Sequence, residues 1–208
     1  MAYLVLVRHG QSEWNILGQW TGLVDVALTD EGRKEAQRAA ETLEDIELHR
    51  AYTSKLRRAK HTLDEIVGQL RLHDLERSEH AELNERDYGE LTGKNKWQVK
   101  EEHGEEKFMQ WRRSWDYPVP GGETLKDVSG RVLPFYEKHI LHDLRDGKNV
   151  IVAAHGNSLR ALIKYLDEVA DEDVHNVEIM TGEVLVYGIS DDGKVLKKEV
   201  RLTNPNKV

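Results

Sequence analysis

Leu4-Val5-Leu6-Val7-Arg8-His9-Gly10 and Val150-Ile151-Val152-Ala153-Ala154-His155-Gly156 share one grammar. In each, a continuous β-prone apolar run ends in a histidine and a glycine, and a helix is expected to follow. A strand apolar at every position, rather than at alternate ones, belongs in a parallel sheet covered on both faces. Working outward, Thr29 caps a helix predicted over 30–44, with Ala36, Ala39, Ala40 and Leu43 at helical spacing. A short strand at 51–53 leads into a second helix through Leu56, Leu63, Ile66 and Leu70. Thr124 and Asp127 form a capping-box pattern before Leu125, Val128, Val132 and Leu144, in a helix that Pro134 should bend or divide. A strand at 149–154 and a helix near 159–166 come next. Two further strands, 184–189 and 195–202, then flank Asp192-Gly193, a hairpin signal. Strands alternating with helices predict an α/β three-layer sandwich, its central sheet mostly parallel, flanked by helices and ending in an antiparallel element. One domain is expected over 1–208, with an insertion at about 84–123 that is rich in Gly, Trp and charge.

Composition narrows the function. The 208 residues carry 30 Lys+Arg against 38 Asp+Glu, a net charge of -8, which argues against a nucleic-acid or anionic-membrane surface. With Cys 0, disulfides, thiolate catalysis and thiolate metal sites are excluded together, and a reducing, cytoplasmic setting is expected. The apolar run at the start is too short for a signal sequence, and no stretch approaches the ~18 apolar residues of a membrane helix.

Ligands in open α/β sheets bind at the carboxyl edge of the strands, where His9 and His155 are expected. Helix N-termini near Ser12 and Ser158 would offer N–H groups to an anion there. A single such histidine is as readily a hydrogen-bonded core residue. Two at equivalent strand ends, one preceded by Arg8, favour function. Imidazole can form a covalent phosphoryl intermediate. Neighbouring guanidinium groups keep it neutral and fork onto phosphoryl oxygens. Arg58, opening the second helix after a strand, is a further candidate; Arg57 is expected on the surface. Glu85, in Leu83-Asn84-Glu85-Arg86-Asp87-Tyr88-Gly89, is the best local candidate for a general acid, although spacing alone fits any of the 38 acidic residues. Arg112-Arg113 are either a solvated face or a second anion clamp.

Three other patterns fail. Gly89-Glu90-Leu91-Thr92-Gly93-Lys94-Asn95 has the wrong spacing for a phosphate loop. Arg160 stands where a nucleophile elbow needs Gly. His139 and His142, three apart, are expected to be exposed rather than metal-bound, and no metal is expected.

Leu4-Val5-Leu6-Val7-Arg8-His9-Gly10-Gln11-Ser12-Glu13-Trp14-Asn15 resembles the opening of the bisphosphoglycerate-dependent phosphoglycerate mutases of the histidine phosphatase superfamily. The likeness continues through Trp20-Thr21-Gly22, Thr53-Ser54, Asn84-Glu85-Arg86-Asp87-Tyr88-Gly89, Arg112-Arg113-Ser114-Trp115 and His155-Gly156-Asn157-Ser158-Leu159-Arg160. It implies a phosphoglycerate mutase-like fold, with His9 as the phosphorylated nucleophile. Arg8, Arg58 and His155 then match the phosphate pocket, and Glu85 the acid/base. Ser12, Asn15, Thr21, Gly22, Tyr88, Lys96, Arg112, Arg113 and Asn157 match substrate-contacting positions. Relative to the family, Pro118-Val119-Pro120-Gly121-Gly122 joins Glu123 almost directly, and Lys94 stands where Leu is usual.

The resemblance implies interconversion of the small molecules 3-phosphoglycerate and 2-phosphoglycerate, as in glycolysis and gluconeogenesis, primed by 2,3-bisphosphoglycerate and without a metal. A phosphatase of the same superfamily and a non-catalytic phosphometabolite binder are the alternatives. No nucleic-acid or membrane partner is expected, and a homodimer built on an edge of the sheet is. Whether Lys207-Val208 cover the site is left open.

Overall fold

A computed structural model describes residues 1–202; the tail at Lys207-Val208 lies outside the described residues. Six strands form one sheet in the order β3-β2-β4-β1-β5-β6. They are β1 (Ala2–Arg8), β2 (Arg50–Ser54), β3 (Glu76–His80), β4 (Val150–Ala154), β5 (Val184–Ile189) and β6 (Val195–Leu202). The β3-β2, β2-β4 and β4-β1 pairings are parallel, while β5 and β6 are antiparallel additions. The expected α/β sandwich, mostly parallel with a late antiparallel element, is therefore the observed one.

The two fully apolar strands lie side by side in its middle, where both faces are covered. On one face, Val5, Val7, Ile151 and Ala153 pack against α2 (Asp30–Glu41) and α3 (Arg57–Gln69) through Ala36, Ala39, Ala40, Leu63 and Ile66. On the other, Leu4, Leu6, Val150 and Val152 meet α6 (Leu125–Phe135), α7 (Leu141–Arg145) and α8 (Gly156–Leu166). Thr29 caps α2 by accepting from the Gly32 N–H, and Thr124 and Asp127 close the capping box of α6.

One expected helix end is corrected and one expected break is found. The helix after Thr29 ends at Glu41 rather than residue 44, because Thr42 turns back and its hydroxyl donates to the Ala39 carbonyl. Pro134 divides its helix: α6 stops at Phe135, one π-helical turn spans Tyr136–Ile140, and α7 completes the run. Proline lacks an N–H and crowds the carbonyl four residues back, so the regular ladder cannot continue through it. Strand β3 had no apolar signal at all.

The segment 84–123 carries α4 (Lys96–His103) and α5 (Glu105–Arg113) over a satellite core of Trp20, Leu91, Val99, Phe108, Trp111 and Val119. That core sits beyond the carboxyl ends of β1 and β4 and fixes α5 above them.

Gly10 and Gly32 let the loop after β1 lie against α2. A Cβ on Gly10 would stand 2.1 Å from the Gly32 carbonyl oxygen, and one on Gly32 would stand 2.1 Å from that of Gln11. The Gly10 N–H donates to Thr62 Oγ1 at 3.0 Å and the Gln11 N–H to buried Glu35 at 2.7 Å. The residue between strand and loop, His9, is thereby fixed from both sides.

Candidate active site

The β1–β4 register places Arg8 opposite Ala154, and the His9 N–H donates to the Ala154 carbonyl at 2.9 Å. His9 and His155 follow directly, so their rings meet with centroids 5.0 Å apart, both buried. His9 Nδ1 lies 2.7 Å from the Gly10 carbonyl. Since a carbonyl only accepts, Nδ1 carries the proton and Nε2 the lone pair. Arg58 confirms that assignment by donating from Nε to His9 Nε2 at 3.3 Å. Burial, then the Arg58 and Arg8 charges, hold the His9 pKa well below 6.5. At neutral pH the ring is uncharged.

Arg58 is anchored by the Gly22 and Val24 carbonyls at 2.9 and 2.8 Å. Burial draws its pKa down to about 10, with Glu85 and Asp25 pulling the other way, so it remains a cation at pH 7. Arg8 gives one guanidinium nitrogen to the Ile179 carbonyl at 2.8 Å while its buried Nε has no partner. His155 is held at Nε2 by Ser54 Oγ at 2.7 Å, and its buried Nδ1 likewise has none. Burial, followed by the Arg58, His9 and Arg8 charges, keeps His155 neutral as well. A buried polar atom without a partner is costly unless something pairs with it, and both Arg8 and His155 adjoin His9.

Glu85 lies across from this pair. Its Oε1 accepts from the Arg86 N–H at 2.8 Å, the Asn157 N–H at 3.1 Å and the Asn157 side-chain amide at 3.0 Å. Burial pushes its pKa up, but those donors and the Arg8 and Arg58 charges prevail, leaving it below the ordinary value. One sequence expectation changes here. At the N-terminus of α8 the Asn157 N–H is not free for a ligand anion, because the Glu85 carboxylate takes it. The helix near Ser12 is a single turn, α1 (Glu13–Ile16), and Ser12 Oγ donates to Asn15 Oδ1 at 2.8 Å.

Arg8, Glu85, Tyr88, Lys96, Arg112, Arg113 and Asn157 line one cavity, with Trp20, Gly156, Arg160, Glu178 and Ile179. Lys96 is drawn down to about 8 by burial, then by Arg8 and Arg112. Burial and Arg113 also lower Arg112. The Glu85 and Glu178 carboxylates on the same cavity act the other way on Lys96 and Arg112 respectively. Ser12, Asn15 and Thr21 are not on this cavity's lining, whereas Gly22 contributes through its carbonyl to Arg58. Arg57 is exposed, as expected.

Three contributors escaped the sequence reading. Ser54 ends a third strand at the same sheet edge, and its position was the available signal. Arg160 is a charged residue inside the apolar run Leu159-Arg160-Ala161-Leu162-Ile163. Glu178, paired with Arg113, had no signal. His139 is not exposed: its ring packs on Phe135 at 5.0 Å and lies 5.9 Å from His80. Among the described residues no cluster of three or more His, Asp or Glu could hold a metal ion.

Paired neutral imidazoles, two arginines, a cradled carboxylate and a second cationic cluster thus lie together at one edge of the sheet. The profile of the histidine phosphatase superfamily (branch 1) matches residues 4–201, and the chain belongs to that superfamily. It is 47% identical over 197 residues to a Bradyrhizobium diazoefficiens protein named 2,3-bisphosphoglycerate-dependent phosphoglycerate mutase, covering 94% of this chain and 95% of that one. A Beijerinckia indica protein of the same name is 48% identical, over 95% of this chain and 96% of its own. Among solved structures, a mycobacterial glucosyl-3-phosphoglycerate phosphatase complexed with VO3 superposes with a TM-score of 0.84 at 23% identity, covering 96% of this chain and 98% of that one. Bacillus stearothermophilus YhfR superposes at 0.82 with 25% identity, covering 94% of each chain.

Proposed function

We propose that this protein interconverts 3-phosphoglycerate and 2-phosphoglycerate through phosphorylated His9. The observation that carries the reading is the second cationic cluster. Lys96, Arg112 and Arg113 stand beyond the His9 pocket, where a monophosphate substrate has no further anion to place, whereas a phosphoglycerate carries both a phosphate and a carboxylate. The names of the relatives point the same way.

His9 Nε2 attacks phosphorus in line, and the bond to the substrate oxygen breaks as the N–P bond forms. Arg8, Arg58 and the free Nδ1 of His155 hold the equatorial oxygens, where charge stabilisation supplies most of the catalysis. Ionised Glu85 takes the proton of the accepting hydroxyl and returns it to the leaving one. Lys96, Arg112, Arg113, Tyr88 and Asn157 hold the groups that are not reacting. Ser12, Asn15, Thr21 and Gly22, which are off the lining of that cavity, are assigned to substrate contact by the resemblance alone. 2,3-Bisphosphoglycerate supplies the phosphoryl group that primes His9, and two anionic groups fit the two cationic clusters. The 84–123 segment is the substrate cover of one domain.

The deciding measurement is a coupled assay on 3-phosphoglycerate, with primer and a chelator present. Formation of 2-phosphoglycerate is expected. Release of inorganic phosphate in its place would replace this reading with that of a phosphatase, in which water accepts from phospho-His9.

The partners are small phosphoglycerates in the cytoplasm rather than nucleic acid or membrane. No helix among the described residues is long and apolar enough to cross a membrane. The sheet edge at β3 favours a homodimer. Antiparallel self-pairing centred on Ser78 would set Arg77 opposite Glu79 on both sides of the two-fold, where opposite charges support a ladder, and Glu76 opposite His80, which burial keeps neutral. Light scattering at working concentration is expected to give twice the chain mass, and a monomer mass would end the idea.

A further inference from the structure

We propose that Arg160 is a positioning residue that builds the second anion subsite, holding Arg112 and Arg113 where they grip the non-reacting charge of a two-anion substrate. The inference rests on the phosphoglycerate reading above. Arg160 lies in the first turns of α8 and is only 4% exposed. A guanidinium has five N–H donors, no acceptor, and keeps its charge at neutral pH, so burying it requires an oxygen for each donor. Arg160 has them: Nε donates to the Val177 carbonyl at 2.9 Å, one terminal nitrogen to Asn157 Oδ1 at 3.1 Å and the Arg112 carbonyl at 3.4 Å, and the other to the Val174 and Arg113 carbonyls at 2.9 and 3.1 Å.

These acceptors come from three separate parts of the site. Arg112 and Arg113 are the last residues of α5, where helical carbonyls have no N–H of their own helix to meet. Arg160 caps that end, so the two arginines leave the helix at a fixed height above the sheet. The 174–177 stretch leads directly into Glu178, which pairs with Arg113, and Ile179, whose carbonyl holds Arg8 at 2.8 Å. Asn157 passes the order on, because its amide donates to Glu85 at 3.0 Å and to the Tyr88 hydroxyl at 2.8 Å. Arg8 and Glu85 have further anchors in β1 and at the Arg86 N–H; the last turn of α5 is held at the Trp111 carbonyl by Arg86 at 2.6 Å, but the carbonyls of Arg112 and Arg113 themselves are bonded by Arg160. The second subsite therefore depends on it more than the phosphoryl pocket does.

Lysine at this position has at most three donors and glutamine two, so neither can satisfy the set. The test is calorimetric binding of inorganic phosphate and of 3-phosphoglycerate to the full chain and to the Arg160→Lys and Arg160→Gln variants. The Kd for 3-phosphoglycerate is expected to rise about tenfold or more while that for phosphate changes less than about threefold. In an Arg112→Ala/Arg113→Ala background, Arg160→Lys should add no further loss, because the side chains it positions are gone. Equal weakening of both ligands, no weakening, or full additivity in that background would overturn the proposal. If glutamine prevents folding, the lysine variant, which keeps charge and length, carries the comparison. Should neither fold, Arg160 is structural and the proposal fails. A parent chain that binds 3-phosphoglycerate no more tightly than phosphate would overturn the functional reading and this inference together. A parent that discriminates, with variants that still do, would overturn the inference alone.

Discussion

His9→Ala is expected to lower turnover by roughly 10⁴-fold or more and to abolish acid-labile labelling of the protein by bisphosphoglycerate. The expectation follows from the tautomer. The Gly10 carbonyl accepts from Nδ1, so Nε2 carries the lone pair, toward which the Arg58 guanidinium donates at 3.3 Å. In this mechanism His155 does not substitute, since its Nε2 meets Ser54 and its Nδ1 is the donor to the phosphoryl oxygens. The pH profile supplies a second check. A histidine whose pKa is lowered remains the neutral nucleophile below 6.5, so the acid limb of the label-formation rate should lie below that of an ordinary imidazole. The same shift bears on the fold. Between the folded pKa values and 6.5 the unfolded chain binds protons at His9 and His155 that the folded site refuses, so stability should fall as pH drops through that window. A His9→Ala enzyme retaining the parental rate, or still labelled, would remove His9 from the mechanism.

What made His9 and His155 legible is that an apolar strand of this kind has few places to go. Val5-Leu6-Val7 and Val150-Ile151-Val152 need cover on both faces, which puts them in the middle of the sheet and their following residues at its functional edge. Strand β3 is the opposite case. Glu76-Arg77-Ser78-Glu79-His80 pairs with β2 through its main chain and exposes most of its side chains, so nothing in its composition announces it. The end of α2 was read less well than its face, since Thr42 acts through backbone geometry rather than hydropathy, whereas Pro134 is visible because its missing N–H breaks a helix interior. Within the site, Glu85 could be selected among the acidic residues only by resemblance. Its physical qualification is the contact with Asn157, 72 residues away along the chain, which no local spacing encodes. Arg160 shows a related limit. A charge in an apolar helix is visible, but the carbonyls that receive it belong to three segments brought together by the fold.

Glu85→Gln is expected to cost about 10²–10⁴-fold in transfer between phosphoglycerate hydroxyls, with a loss that depends on the leaving group. Glutamine fits the same space and can keep the Asn157 and Arg86 donors on its carbonyl oxygen, so the lesion is confined to the proton. In the free site Glu85 is ionised, held there by the Arg86 N–H, the Arg8 and Arg58 charges and the Asn157 amide, against the upward push of burial. That state suits the step in which an incoming hydroxyl must lose its proton to attack phospho-His9. The reverse step needs the carboxyl protonated. Two bound anionic groups supply the means, because they neutralise the arginine field that holds the pKa down and so raise it while substrate is present. Phosphorylation of His9 from an alkyl phosphate then requires the proton, whereas p-nitrophenyl phosphate, whose leaving group departs without one, does not. Labelling of Glu85→Gln by bisphosphoglycerate should therefore slow by the full factor, and labelling by p-nitrophenyl phosphate by about tenfold at most. Equal losses with both donors would mean that Glu85 only shapes the pocket. The proton would then have to come from a neighbour, and the Tyr88 hydroxyl, 2.8 Å from the amide of Asn157, is the group to test next.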